Sequence, residues 1–281
     1  MEVGINFKNI LSYNESMAKG MEDKLFFLNK INFTKSKSYL FVDFGCADGT
    51  LIDALYGILS SQGIHAYYIG YDISDTMIDL AKTKFSHQAN PSEILFTTSW
   101  DEVMEKVNMY SKMESVLILS SVIHEVYSYA ESQDDIDLFW YRILNGHFSH
   151  ICVRDMMVSK DINHNPDIDI FNFIEDNIPH FTDRRKYLDD FIKHWGSIHE
   201  NKNFIHYLLK YRWTLNWDRE VHENYFPIYI EDFLKSFEEK YNISYFERFR
   251  VSFLEKCWKE DFNIEIEDTT HIKAIFNIKR K

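Results

Sequence analysis

Two aspartates and two glycines are the residues whose types and spacing suggest chemistry in this sequence. Asp43 follows the apolar run at 39–42, Gly45 and Gly49 come next, and Asp72 lies 23 residues beyond Gly49. Glycines in a turn let the backbone approach a ligand closely, and an acid after the second strand can accept both hydroxyls of a ribose. Asp43 would repel a pyrophosphate but attract an ammonium or a sulfonium. We therefore expect a ligand that carries a ribose and a cationic amino-acid tail.

A histidine and two tyrosines follow the fourth predicted strand. His124 has an unperturbed pKa near neutrality, so it could be a general base toward a hydroxyl acceptor, or it could cap or pack. Tyr127 and Tyr129 could order an acceptor or pack beneath the chain that follows. The stretch lacks the second histidine of a His-Glu-x-x-His zinc site, and the other histidines are scattered, so we expect no metal.

Five predicted strands, separated by helices, must position these residues. The strands are expected at 39–44, 65–72, 93–99, 115–121 and 150–157. Apolar spacing predicts helices at 16–31, 51–59, 74–85, 103–110 and 136–144. Ser74 is a suitable cap for the third helix, and Gly63 ends the second. The alternation is typical of right-handed βαβ crossovers and a parallel sheet, so the fold class is α/β, doubly wound, with ligands at the carboxyl ends of the strands.

The pattern changes after residue 160. Residues 160–240 are mostly helical and rich in aromatic residues, and strand candidates follow at 243–252 and 271–279, without an obvious crossover helix of full length between them. An antiparallel edge is therefore expected there. The expected units are an N-terminal helical lid segment (1–38), a cofactor-binding α/β core (39–159), a helical substrate cap (160–240) and C-terminal strands that complete the sheet (241–281).

The first turn resembles a motif of the class I S-adenosylmethionine-dependent methyltransferases. Their pattern is acid-x-Gly-x-Gly-x-Gly, and the sequence here has Asp43, Gly45, Ala47 and Gly49 at the corresponding positions. Ala47 thus replaces the middle glycine. The resemblance covers residues 39–157 and, more weakly, 240–281. It implies S-adenosyl-L-methionine as cofactor and a Rossmann-like methyltransferase sheet, mostly parallel with an antiparallel C-terminal edge and a helical insertion.

The same resemblance implies which residues contact the cofactor. Asp72 and Ile73 match the second motif, Ser99 and Trp100 would lie near the adenine, and Tyr13 is a candidate lid residue. His124 and Tyr127 would face the methyl group as candidate catalytic residues. The expected cofactor-binding residues are Asp43, Gly45, Cys46, Ala47, Gly49, Asp72, Ile73, Ser99, Trp100, Ser120 and Tyr13.

Charge and local motifs restrict the acceptor. The net charge of −13 disfavours loose binding to nucleic-acid backbones and anionic membranes. The segment after the fourth strand has neither the Pro-Pro-aromatic nor the Pro-Cys motif of DNA methyltransferases. Residues 180–215 carry seven Lys or Arg against four acids, with aromatics between them. That composition suits a phosphate-bearing acceptor, RNA included, or an ordinary cap whose aromatics form its own core.

We therefore expect a methyltransferase that moves a methyl group to an oxygen or a nitrogen of a small molecule. The alternatives are an RNA methyltransferase that uses the basic, aromatic cap, and a cofactor-binding partner subunit without turnover. The three cysteines show no CxxC spacing, and the sequence shows no signal peptide and no apolar run near the ~18 residues of a membrane span. A cytoplasmic protein is the expectation.

Overall fold

A seven-stranded sheet lies at the centre of the computed structural model, which describes residues 20–86, 93–165, 172 and 184–279. The strands are β1 (Ser38–Phe44), β2 (His65–Tyr71), β3 (Ile94–Thr97), β4 (Glu114–Ser120), β5 (His150–Met156), β6 (Tyr241–Phe249) and β7 (His271–Ile278). Their order across the sheet is β3-β2-β1-β4-β5-β7-β6. Strands β1 to β5 pair in parallel, and β7 is antiparallel to both β5 and β6. These pairings confirm the expected fold class and its antiparallel C-terminal edge.

Helices cover the sheet and form most of the region after β5. They are α1 (Met21–Lys24), α2 (Thr50–Ser61), α3 (Asp75–Phe85), α4 (Trp100–Met109), α5 (Ile123–Tyr129), α6 (Gln133–Asn145), α7 (Arg184–Trp195), α8 (Asn201–Lys210), α9 (Trp217–Glu220), α10 (Ile230–Phe237) and α11 (Ser252–Phe262). The Ser74 side chain accepts a hydrogen bond from the backbone N–H of Met77, which confirms the predicted cap of α3.

Both faces of the central strand β1 are buried. Leu40 and Val42 pack with side chains of α4, α6 and α10, whereas Tyr39 and Phe41 pack on the other face with α2 and α3. Successive side chains of a strand point to opposite faces, so the unbroken apolar run at 39–42 is typical of a strand covered on both sides. The polar residue that follows, Asp43, then lies at the strand end.

A separate apolar cluster, here called the cap cluster, is built from buried side chains of α7, α8, α9 and α11. Trp258 of α11 joins it and donates a hydrogen bond of 3.0 Å from Nε1 to the carbonyl of Leu208 in α8. In contrast, Ile230 and Phe233 of α10 pack in the sheet core. The unit boundaries at 160 and 240 stay a prediction. Side chains from beyond residue 240 also belong to the cap cluster, since α11 contributes to it.

Two helix predictions differ from the structure. The described part of the helix expected at 16–31 is only α1, followed by a 3-10 turn at Phe26–Asn29 in which Phe26 and Phe27 both bury their rings. Helix α11 was not expected, although Leu254, Trp258 and Phe262 repeat every four residues. That spacing is a helical signal, although the segment lies between two strand candidates.

Candidate functional site

A cavity lies at the carboxyl ends of β1, β2 and β4, with α1, α5 and α9 contributing its other walls. This is where ligands bind in doubly wound sheets. Six of the residues expected to bind a cofactor line it together: Asp43, Gly45, Cys46, Ala47, Asp72 and Ser120. The strand ends therefore converge as the sequence pattern predicted.

The turn after β1 brings its backbone against the cavity. Gly45 has φ +77°, and its N–H donates to the carbonyl of Tyr71 at 2.8 Å. A Cβ at this position would lie 2.8 Å from Cγ2 of Val122, so a side chain would not fit. Ala47 has φ +46° and donates its N–H to Oδ2 of Asp72 at 2.9 Å. The turn is thus tied to the end of β2.

Asp72 has both carboxylate oxygens in use and still offers lone pairs to a ligand. Oδ1 accepts from the N–H of Ser74 at 2.9 Å, and Oδ2 accepts from the N–H of Ala47 at 2.9 Å. Burial raises the pKa of Asp72, while these backbone N–H groups act to lower it. Since each carboxylate oxygen can accept two hydrogen bonds, the fixed carboxylate can also receive the two hydroxyls of a ribose.

Asp43 is a buried carboxyl group at the same strand edge. It is 4% exposed, and burial raises its pKa to about 7, with Lys24 acting to lower it and Asp72 to raise it. Within the described ranges, no hydrogen bond to the Asp43 carboxylate is found. The hydroxyl of Ser120, another lining residue, is also buried without a partner among the described residues. Both are polar groups whose partner a bound ligand would supply.

Several expected cofactor residues lie around the cavity without lining it. Gly49, with φ +76°, precedes α2, and a Cβ there would lie 2.9 Å from the ring of Phe96. Ile73, next to Asp72, is 83% exposed. Ser99 accepts a hydrogen bond from the N–H of Glu102 at the start of α4. Tyr13 lies outside the described residues.

Trp100 is placed differently from the expected adenine contact. Its ring is buried and packs against the rings of Phe44 and Tyr71, inside the core on the α4 face of the sheet. Position alone suggested a site residue, because Trp100 follows β3. A side chain this large and apolar is instead used to fill the core between α4 and the sheet.

His124 is held by carboxylates on both sides of its ring. Nδ1 lies 2.7 Å from Oδ1 of Asp155, and Nε2 lies 4.0 Å from Oε2 of Glu223. Burial alone would lower the pKa of His124, but Asp155 first, and then Glu125 and Glu223, raise it above its ordinary value of 6.5. Both ring nitrogens of His124 therefore face carboxylates, and His124 is not among the residues that line the cavity. The arrangement is unsuited to the general base expected of His124.

Asp155, at the end of β5, fixes the start of α5 as well as His124. Its Oδ2 accepts from the N–H groups of Val122 and Ile123 at 3.0 and 2.7 Å. A carboxylate near the first N–H groups of a helix is favourable. These hydrogen bonds fix the position of α5, which places Glu125 at the edge of the cavity.

Tyr127 points away from the cavity, contrary to the expected catalytic role. Its hydroxyl accepts a hydrogen bond of 2.9 Å from Nε1 of Trp140 in α6, and its ring packs on the sheet core. Tyr129, two residues on, faces the other way and donates to Oε1 of Glu223 at 2.9 Å. Helical neighbours two residues apart lie on different faces, so Tyr127 and Tyr129 cannot both order an acceptor.

Three charged residues that line the cavity were not expected from the sequence: Lys24, Glu125 and Arg219. Arg219 donates to Oε1 of Glu125 at 2.8 Å and to Oε1 of Glu223 at 2.7 Å. Residues 125 and 219 are 94 positions apart, and no periodic pattern links them. Glu125 is adjacent to His124, but a glutamate does not ordinarily titrate near neutral pH as a histidine does, so its residue type gave no comparable signal.

Other features of the described residues bear on the expected function classes. The three cysteines are free and buried. No cluster of three or more metal-ligating side chains is found among the described residues. None of the described helices is both long enough and apolar enough to cross a membrane.

Comparison with known proteins places the fold. No protein-family model matches the sequence, and no curated protein matches it significantly. Among solved structures, the chain is similar to a cyclopropane synthase from Mycobacterium tuberculosis, at 9% identity and a TM-score of 0.50, with 95% of this chain and 85% of that chain covered. A geranyl diphosphate C-methyltransferase from Streptomyces coelicolor, solved in complex with Mg2+, geranyl diphosphate and S-adenosyl-L-homocysteine, has 8% identity and a TM-score of 0.47, with 91% of this chain and 76% of that chain covered. The chain has the fold of the class I S-adenosylmethionine-dependent methyltransferases, as the resemblance implied.

Proposed function

We propose that this protein is a methyltransferase that uses S-adenosyl-L-methionine and acts on an oxygen or a nitrogen of a small molecule. The observation that carries the proposal is the convergence of Asp43, Asp72 and the Gly45 turn on one cavity at the strand ends. A ribose with a positively charged amino-acid tail is complementary to two carboxylates and an open backbone turn. A pyrophosphate is not.

The residues of the cavity fit this cofactor group by group. Asp72 is fixed by two backbone N–H groups and accepts the ribose hydroxyls, with Ile73 exposed beside it as an apolar surface for the adenine. Asp43 attracts the ammonium of the amino-acid tail. The cofactor supplies an activated methyl group. What the protein must then do is orient the acceptor and exclude water.

The cap favours a small acceptor over RNA. Single-strand binding needs exposed aromatic platforms beside a basic groove. The aromatic side chains of Tyr207, Tyr211 and Trp217 are instead buried in the cap cluster. Among its basic residues, Lys210 is fully buried and Arg212 is paired with Asp261 at 2.7 Å. These side chains support the cap itself, so they are not available to stack on bases or to contact phosphates.

Calorimetric titration with S-adenosyl-L-homocysteine tests the cofactor assignment. We expect binding to the wild-type protein and a loss of about tenfold or more in affinity for Asp72→Asn, since a charged acceptor of two hydrogen bonds is neutralised. Asp79→Asn, an exposed aspartate of the neighbouring helix α3, is the matched control and should bind as the wild type does. Equal affinity of the wild type and Asp72→Asn would contradict the ribose assignment.

Methyl-labelled cofactor separates the three functional readings. Incubation with metabolite and RNA fractions of a cell extract should label a small molecule. Label in RNA, with retention of RNA at physiological salt, would favour the RNA methyltransferase. Cofactor binding without label in any fraction would favour the partner subunit.

A further inference from the structure

An alternating chain of charges runs from the end of β5 to the cavity. Asp155 lies 2.7 Å from His124, and His124 lies 4.0 Å from Glu223. Arg219 then bridges Glu223 and Glu125 at 2.7 and 2.8 Å. The signs alternate: acid, histidine, acid, arginine, acid. The last two members, Arg219 and Glu125, line the cavity.

This chain has one more acid than it has cations. Asp155, Glu223 and Glu125 contribute three carboxylates, against the guanidinium of Arg219 and the imidazolium of His124. Lys24 lines the same cavity and interacts electrostatically with Asp43 and Glu125. The lining as a whole therefore sets three carboxylates, of Asp43, Asp72 and Glu125, against two cations, Lys24 and Arg219. The side chain of Glu125 is 31% accessible there, and its Oε1 accepts a hydrogen bond from Arg219. A cationic group bound beside Glu125 would offset this excess of negative charge.

We propose that the acceptor is an amine and that Glu125 is the catalytic residue that binds it and takes up its proton. This inference rests on the proposed function, because Asp43 and Asp72 are assigned there to the cofactor and Glu125 remains as the third carboxylate of the cavity. Glu125 lies just beyond β4 on α5, near Ser120 and Val122. Arg219 and Glu223 are positioning residues that orient Glu125 from the cap.

Proton affinities favour an amine over an alcohol at this carboxylate. A carboxylate attracts an ammonium directly, and the ammonium of an alkyl amine gives up its proton far more readily than a hydroxyl does. Burial raises the pKa of Glu125, with Glu223 and Asp72 acting in the same direction, although Arg219 and His124 oppose them. A carboxyl with a raised pKa is a better proton acceptor.

The step balances with these groups alone. The bound ammonium passes one proton to Glu125 and becomes a neutral amine. Its lone pair forms the new nitrogen–carbon bond while the carbon–sulfur bond breaks, and the electron pair of that bond stays on sulfur. The positive charge of the sulfonium passes to the methylated nitrogen. His124 takes no part in the proton transfer and keeps Glu223 in place.

Sinefungin provides a binding test that needs no known acceptor, since its protonated amine stands where the transferred methyl group would be. The measured quantity is the ratio of the affinities for sinefungin and S-adenosyl-L-homocysteine, by calorimetry. We expect Glu125→Gln to lower this ratio by about tenfold, the value of one charge-assisted hydrogen bond, with the affinity for S-adenosyl-L-homocysteine unchanged. Glu125→Asp should keep part of the preference, and exposed Glu131→Gln should keep all of it.

The outcomes separate this inference from the proposed function. An unchanged ratio in Glu125→Gln, with both ligands still bound, would overturn the role of Glu125 alone. Failure of the wild-type protein to bind either ligand would overturn the proposed function and this inference with it. The amine is tested by passing the metabolite extract over a cation exchanger at acid pH, where an amine is cationic even when it also carries a carboxyl group. Acceptor activity should be in the retained fraction, and activity only in the unretained fraction would exclude such an amine.

Discussion

Ala47 is the residue at which the first turn departs from glycine, and its backbone is strained. It has φ +46°, and the left-handed conformation costs a non-glycine residue roughly 1–2 kcal/mol. Glycine would remove this cost but lose roughly 0.5–1 kcal/mol through the greater entropy of the unfolded chain. An alanine at position 47 is therefore compatible with the turn, because the loss of folding free energy is small compared with that caused by a cavity in the core.

We predict that Ala47→Gly raises the free energy of unfolding by about 0.5–1 kcal/mol, the difference between those two effects. Urea denaturation measures it. Ala54→Gly is the matched control: Ala54 lies within helix α2, so that variant should lose about 1 kcal/mol. A loss of stability in both variants would show that Ala47 is not strained.

His124 should make stability depend on pH in a defined direction. Its pKa in the folded protein is raised above the ordinary value of 6.5 by Asp155, against the effect of burial. A raised pKa gives a contribution that is fully present below pH 6.5 and is lost as the pH rises through the folded-state pKa. His124→Gln should therefore be destabilised most on the acid side, with the gap to the wild type narrowing as the pH rises. A gap that widens with pH would contradict the protonated state.

At the scale of elements, the helices and strands bring the site residues together from distant parts of the chain. Asp43 and Asp72 could be predicted because each follows a strand, and parallel strands end at one edge of the sheet. Glu125 and Arg219 could not, because their meeting depends on how α9 folds back against α5. For Trp100 the position along the chain was predicted correctly, just after β3, but the direction of its side chain was not. The ring enters the core because of how α4 packs on the sheet.

A substitution of Trp100 can therefore show whether its ring contributes to the stability of the fold or to the binding of the cofactor. Trp100→Phe should lower the free energy of unfolding by about 2 kcal/mol, since a smaller ring leaves part of the core unfilled. The affinity for S-adenosyl-L-homocysteine should stay within twofold or so of the wild type, because the ring does not line the cavity. Reduced affinity with unchanged stability would restore the adenine contact expected from the sequence.

At the scale of the whole molecule, two parts of the chain line the cavity at the strand ends. The sheet supplies the glycine turn and the strand-end acids, and the region after β5 supplies Arg219. Three carboxylates, of Asp43, Asp72 and Glu125, line this cavity together with the cations Lys24 and Arg219. A cationic nucleoside and a cationic acceptor both suit such a site, which is why the account depends on where the carboxylates point.

A crystal structure of the protein with S-adenosyl-L-homocysteine tests that dependence most directly. We predict that the nucleoside lies at the ends of β1 and β2, with both ribose hydroxyls within hydrogen-bond distance of Asp72 and the ammonium of the tail beside Asp43. A soaked crystal whose cavity holds no ligand, or a ligand whose ribose lies away from Asp72, would contradict the account.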